Sequence, residues 1–214
     1  MKTTELITHL QYRLEDDTSN TDFDVDQKLN ALNAGQRTLC NLLDNHYLTE
    51  LETISTSLPT QDTSWSMNNA SVCEVVGKPD SIRNGIVRVL DKTNNRFCDI
   101  MPGSKPELLS NNYVVGDSSG SGTIIGSYAM VFANKVYVSP SSILLVDIWY
   151  LKHPNKLVNS VDDEPELDEG LHDILLDLAE AELWKSDNQQ ARAQSAENKA
   201  MAQIEVLNTR IASD

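Results

Sequence analysis

The sequence predicts an α+β protein: a helical bundle made from N- and C-terminal helices, with an antiparallel β-rich insertion between them. Three observations carry this. Apolar residues recur in steps of three and four at both ends of the chain, the signature of helices with one buried face. From about Glu50 the period falls to two, as in strands. Ile143–Leu151 is apolar on both faces, which marks an inner strand. The expected division is residues 1–49 for the N-terminal helices, 50–154 for the β insertion, 155–188 for a C-terminal core helix and 189–214 for a C-terminal helical arm.

Thr4–Leu14 reads as a short helix burying Leu6, Ile7, Leu10 and Leu14. Glu15–Thr21 is a polar break. Asp24 and Gln27 stand at capping-box spacing and open a second helix that runs to about Leu43. Gly35 sits inside it at a cost of up to about 1 kcal/mol relative to Ala, which a close helix crossing would explain. Strands are expected at Glu50–Leu58, Val72–Val76, Ile86–Leu90 and Arg96–Ile100. Thr60–Ala70 reads as a polar loop around Trp65. Pro102-Gly103-Ser104 reads as a turn, Lys105–Ser110 as one helical turn, and Gly116–Gly126 as a flexible loop. Ser127–Phe132 and Lys135–Ser139, joined by a tight turn at Ala133-Asn134-Lys135, make the strongest hairpin in the chain.

The helix expected at Leu171–Lys185 follows an acidic, Pro-containing run, with Asp168 as its N-cap. Its apolar positions cover an arc of roughly 220°, against the roughly 100° that a one-sided surface helix needs. One flank is Leu167, Leu171, Ile174, Leu175, Leu178 and Ala181; the other is Leu176, Ala179 and Leu183. Such a helix needs cover on two sides, from its own domain and from either another element or another subunit. After a break at Ser186-Asp187-Asn188, with Asp187 and Gln190 at capping-box spacing, a last helix carries a narrow seam of Ala193, Ala196, Ala200, Ile204, Leu207 and Ile211. That seam suits either a helix folded back on its own domain or an arm on a partner protein. Leu176, Leu183, Ala193, Ala196, Ala200, Ile204, Leu207 and Ile211 are therefore the candidate interface residues. An arm of this kind would be removable at Gln189 without unfolding the remainder.

The chain has 214 residues, 40% hydrophobic and 6% aromatic, so its core is aliphatic. Its net charge of −15 and pI near 4.5 argue against nucleic acid as a bound partner, because phosphate contacts need clustered Lys and Arg. Cys40, Cys73 and Cys98 fit no disulfide framework or zinc spacing and read as reduced, buried thiols. The N-terminus has no apolar run of signal-peptide type, and no window approaches a membrane span. A cytosol-like environment is expected.

No chemistry-bearing constellation emerges. Asp22, Asp24 and Asp26 resemble the start of an EF-hand loop, but Gln27 and Asn33 stand where Gly and Glu are needed. Gly120, Gly122 and Gly126 miss the dinucleotide spacing, and there is no P-loop. His9, His46, His153 and His172 are scattered, and His172 reads as a packed or interface residue. The acidic run Asp162, Asp163, Glu164, Glu166, Asp168 and Glu169 has no basic or His company, so helix N-terminal electrostatics accounts for it. Asn69-Ala70-Ser71 is a sequon in form only. No catalytic residue, cofactor or metal is expected.

Three stretches resemble the head-to-tail adaptor (connector) proteins of tailed bacteriophages: LNALNAGQRTLCNLL at Leu29–Leu43, SYAMVFANKVYVSPSSILLVDIWYLKHP at Ser127–Pro154, and DDEPELDEGLHDILLDLAEAELWKSDN at Asp162–Asn188. The resemblance implies a non-enzymatic virion protein of the neck region, made in the host cytoplasm. It implies a ring, usually of twelve copies, docked beneath the portal protein and joined to the next neck or tail protein. DNA would pass through without specific binding, and no membrane is involved. A tail-completion or stopper protein further down the neck stays open as an alternative, as does a ligand-binding or enzymatic domain whose site forms only in three dimensions.

Overall fold

Helix and sheet are segregated along the chain. The computed structural model describes residues 1–14, 23–67, 70–101, 114–116, 122–124, 127–139 and 142–211. Two units are distinguished: Met1–Leu51 together with His153–Asp214, and Glu52–Lys152. The protein is α+β, with a large eight-stranded sheet.

The first unit holds α1 (Thr3–Arg13), α2 (Val25–Leu42), α3 (His172–Ser186) and α4 (Gln190–Ile211), and α3 touches the other three. The capping box of α2 forms as its spacing predicts: Gln27 N–H donates to Asp24 Oδ1 at 2.7 Å and Asp24 N–H to Gln27 Oε1 at 2.8 Å. Gly35 marks a close helix crossing. A Cβ there would sit 3.2 Å from the Leu175 carbonyl oxygen and 3.3 Å from Ala179 N, so any larger residue would push against the α3 backbone.

The polar residues of the same helix hold down the extended segment that precedes α3. Asn33 Nδ2 donates to Leu157 O at 3.1 Å, and Leu157 N–H donates back to Asn33 Oδ1 at 2.8 Å. Gln36 Nε2 donates to Asn155 O at 2.8 Å. In the acidic run, Asp163 accepts from Thr3 Oγ1 and from Val158 N–H, both at 2.8 Å, and Glu166 accepts from Asn155 N–H at 2.9 Å. These two carboxylates bind loop and N-terminal donors rather than serving a helix end. Asp168 does cap, accepting from Gly170 N–H at 2.8 Å at the 3-10 turn that leads into α3.

α3 ends differently from the sequence expectation. Asn188 takes a φ of 60°, Asn188 N–H donates to Lys185 O at 3.2 Å and Gln189 N–H to Trp184 O at 2.9 Å. This is a Schellman ending with Asn in the left-handed position. Asp187 accepts from Gln189 Nε2 at 2.7 Å. The Asp187/Gln190 spacing thus reflects the end of one helix more than the capping of the next.

In the second unit the strands run in the order β4 (Arg96–Phe97), β3 (Ile86–Asp91), β10 (Leu145–Leu151), β1 (Glu52–Met67), β2 (Ala70–Val75), β9 (Lys135–Ser139), β8 (Tyr128–Phe132) and β5 (Asp99–Met101). β10 is an inner strand, as its two apolar faces require. β1 is far longer than predicted. Its first half pairs with β10, its ladder shifts between Ser55 and Leu58, and its second half pairs with β2. At the shift Ser57 has φ 57°, and its N–H donates to Asp147 Oδ1 at 2.6 Å. The expected loop Thr60–Ala70 is therefore strand as far as Met67. Pro59 lies beside a bulge, where a missing N–H is tolerated, and the polar run has no apolar alternation to reveal its period.

Arg96–Ile100 splits at Cys98, where the backbone changes partner: Cys98 N–H donates to Val89 O and Asp99 N–H to Ser127 O. The β8–β9 hairpin turns on Ala133 (φ 49°) and Asn134 (φ 62°), the two positive values of a type I′ turn. Within the expected loop Gly116–Gly126, Gly116 ends β6 (Val114–Gly116), and β7 (Gly122–Ile124) pairs with it. The rest of that loop, and the Pro102 turn with Lys105–Ser110, lie outside the described residues. Val75, Val89, Val136, Val138, Ile143, Val146 and Ile148 form the aliphatic core of this unit, with Cys73 and Cys98 buried among them. Burial pushes the Cys73 thiol up to about 11 and the Cys98 thiol up to about 12.

Candidate assembly surface

Six of the eight candidate interface residues have no surface to offer a neighbour in the folded chain. Leu176 and Leu183 on α3, and Ala193, Ala196, Ala200 and Ile204 on α4, are all buried within the helical unit. α3 is covered by two helices of the same chain: α2 crosses it at Leu175 and Ala179, and α4 packs along the side that carries Ile174 and Asp177. The alanines allow that approach, as small residues do at any close helix pair. The last helix is folded back and is not a free arm. Leu207 and Ile211 alone remain half-exposed.

A buried carboxylate fastens this packing. Asp177, on the apolar side of α3, is 1% exposed. It receives an ion pair from Arg13 of α1, a bond of 2.7 Å from Lys199 Nζ and one of 2.9 Å from Gln203 Nε2, both of α4. A charge so deeply placed must be paired and hydrogen-bonded, and here its partners come from two other helices. The sequence carries the signal, an Asp one turn from Ile174 and Ala181 inside the apolar arc, but the wheel alone does not name its partners. His172 is also internal. It accepts through Nδ1 from the Met1 amine at 3.0 Å, and its Nε2 faces Leu167 O at 3.3 Å. Burial first, and the nearby ammonium second, lower its pKa, which favours the neutral ring.

Beside Leu207 lies an open apolar groove, lined by Gly170, Ile174, Ala202, Gln203, Val206 and Leu207. A second depression continues it past Gly170 and Leu207 to His46, Tyr47, Glu50 and Asp168. Val206 is 51% exposed on its wall. The end of α4 is held in place there. Tyr47 Oη donates to Leu207 O at 3.0 Å, Asp44 N–H donates to Asn208 Oδ1 at 2.8 Å, and Asn208 Nδ2 donates to Leu42 O at 2.9 Å. The groove is thus preformed, with carboxylates at one end.

In the β unit, Arg88, Trp149 and Ile54 face one another across β3, β10 and β1. Paired residues of antiparallel strands share a face. Phe97 of β4 meets Trp149 at 5.8 Å between ring centroids and is 58% exposed. Charge is divided unevenly between the two units. The helical unit has 9 Lys and Arg against 23 Asp and Glu, a net −14, and the β unit has 8 against 9, a net −1.

Among the described residues no group of three His, Cys, Asp or Glu side chains is placed to hold a metal ion, and no helix is long and apolar enough to cross a membrane. What both units present is surface for contact: an acid-edged apolar groove and an aromatic sheet face. No curated protein matches the chain. The model of the family described as SU10 adaptor protein matches residues 1–214, both units included. The chain therefore belongs to the SU10 adaptor protein family, in keeping with its resemblance to phage adaptors.

Proposed function

We propose that this chain is the head-to-tail adaptor of a tailed phage, a structural virion protein that forms a ring beneath the portal and joins it to the next neck or tail protein. The family match over the whole chain carries this reading. The surfaces support it: both units keep apolar side chains accessible in clusters, Val206 and Leu207 in one and Phe97, Trp149 and Ile54 in the other. Clustered exposed apolar residues mark contact sites. The net −14 of the helical unit suits a channel wall, because acidic surfaces repel phosphate and let DNA pass without sticking. Contacts with the portal and with neighbouring copies fall to the residues of α4 that stay accessible, with Ile211 at its end for the portal and Val206 and Leu207 for a neighbour. On this reading the four helices of this unit act as one bundle, with residues 189–211 as part of its body, a reading supported by the contacts of α3 with the other three.

The test is binding of the purified chain to isolated portal rings. The chain alone is expected to run as a monomer in light scattering and to join portal rings in a fixed ratio. A chain that ignores portal rings but binds the tail-proximal face of a completed neck is a stopper or tail-completion protein. A stable dimer in the absence of portal would contradict assembly on the portal.

A further inference from the structure

The two surfaces described above complement each other, and they belong to different units. The groove of the helical unit is apolar along Ile174, Ala202, Val206 and Leu207, and Glu50 stands at its edge. The sheet face of the β unit is aromatic and aliphatic, with Phe97, Trp149 and Ile54, and Arg88 stands beside Trp149. Glu50 and Arg88 are both exposed, and neither takes part in an ion pair with another described residue. Each surface thus offers an apolar patch with uncompensated charge at its edge, of opposite sign.

We propose that in the assembled ring the Phe97–Trp149 face of one copy seats in the Val206–Leu207 groove of the next, with Arg88 of the first copy against Glu50 of the second. This rests on the ring reading above and names the contact that closes it. A head-to-tail contact between two different patches is what generates a closed ring, whereas a patch that meets itself stops at a dimer. Charge selects the occupant. The helical unit of a second copy, at net −14, is repelled from an acid-edged groove, while the nearly neutral β unit with its exposed arginine is attracted. The contact is small, so it forms when a portal gathers the copies and not in dilute solution.

Phage particles are assembled with the chain carrying Phe97→Cys and Val206→Cys in a Cys98→Ala background, then oxidised with diamide and run on a denaturing gel. A ladder of dimers, trimers and larger species is expected, and the two chains with only one of the introduced cysteines, which keep the buried Cys40 and Cys73, should stay monomeric. A double-cysteine chain that is present in the particles but runs only as monomer overturns the contact and leaves the adaptor reading standing. A wild-type chain absent from particles overturns the adaptor reading itself. A charge pair supplies the second arm. Arg88→Glu and Glu50→Arg should each reduce incorporation about tenfold, and the double exchange should recover it. Singles that incorporate as well as wild type, or a double exchange that stays as poor as the singles, overturn the pairing.

Discussion

The helical unit and the β unit are of similar length but solve different problems. The helical unit carries a net charge of −14 and holds a buried carboxylate clasp at Asp177; the β unit carries −1 around an aliphatic core. Self-repulsion works against the first and hardly touches the second. The first is held by close helix approach and a three-helix ionic knot, the second by ladder pairing and hydrophobic burial. Stability and surface charge are therefore separately adjustable in the two parts.

Several changes would break or sharpen that contrast. Gly35→Leu forces a side chain into the Leu175 and Ala179 backbone and should cost the helical unit about 3 kcal/mol. Hydrogen exchange should speed up at α2 and α3 amides and stay unchanged at β10. Asp177→Ala removes the acceptor shared by Arg13, Lys199 and Gln203. Lys199 is 62% exposed and can turn to water, so the loss should be about 2 kcal/mol, read as a lower denaturation midpoint.

In the β unit the effect should run the other way. Ala133 holds a left-handed φ of 49° in the β8–β9 turn, so Ala133→Gly should stabilise that unit by about 1 kcal/mol and leave the helical unit alone. Raising salt from 0.05 to about 0.5 M shortens the screening length severalfold. It should slow exchange in α1–α4 more than in β1–β3. The smallest effect concerns His172. Its folded pKa lies below the ordinary value, so the unfolded state takes up the proton first on acidification. Stability from this group is present above pH 6.5 and is lost as pH falls through 6.5 toward the folded value. His172→Gln should flatten that part of the stability–pH curve relative to wild type.

Much of this was legible in the residues. The Asp24/Gln27 box, the glycine crossing at Gly35, the Ala133-Asn134 hairpin and the inner position of β10 each follow from local chemistry or period. The second half of β1 was not legible, because a polar strand beyond a proline has no apolar alternation to betray it. The destination of the α4 seam was not legible either. Ala193, Ala196 and Ala200 specify a close helix partner, but a stripe of small residues is the same whether the partner is in the same chain or another. The groove beside Leu207 draws on separate segments of the chain, from His46 to Leu207, and only folding brings them together. Folding back also changes what truncation means. Removing residues 189–214 takes away Lys199 and Gln203 and uncovers α3, so it should destabilise the unit as well as delete contacts.

The most direct test is an image of the neck in intact particles, resolved well enough to trace helices. The account predicts a ring of this chain in contact with the portal, with α4 residues Val206 to Ile211 in an interface and the acidic helical unit toward the channel. A neck in which this chain is missing, or in which it sits below another ring without touching the portal, would contradict it.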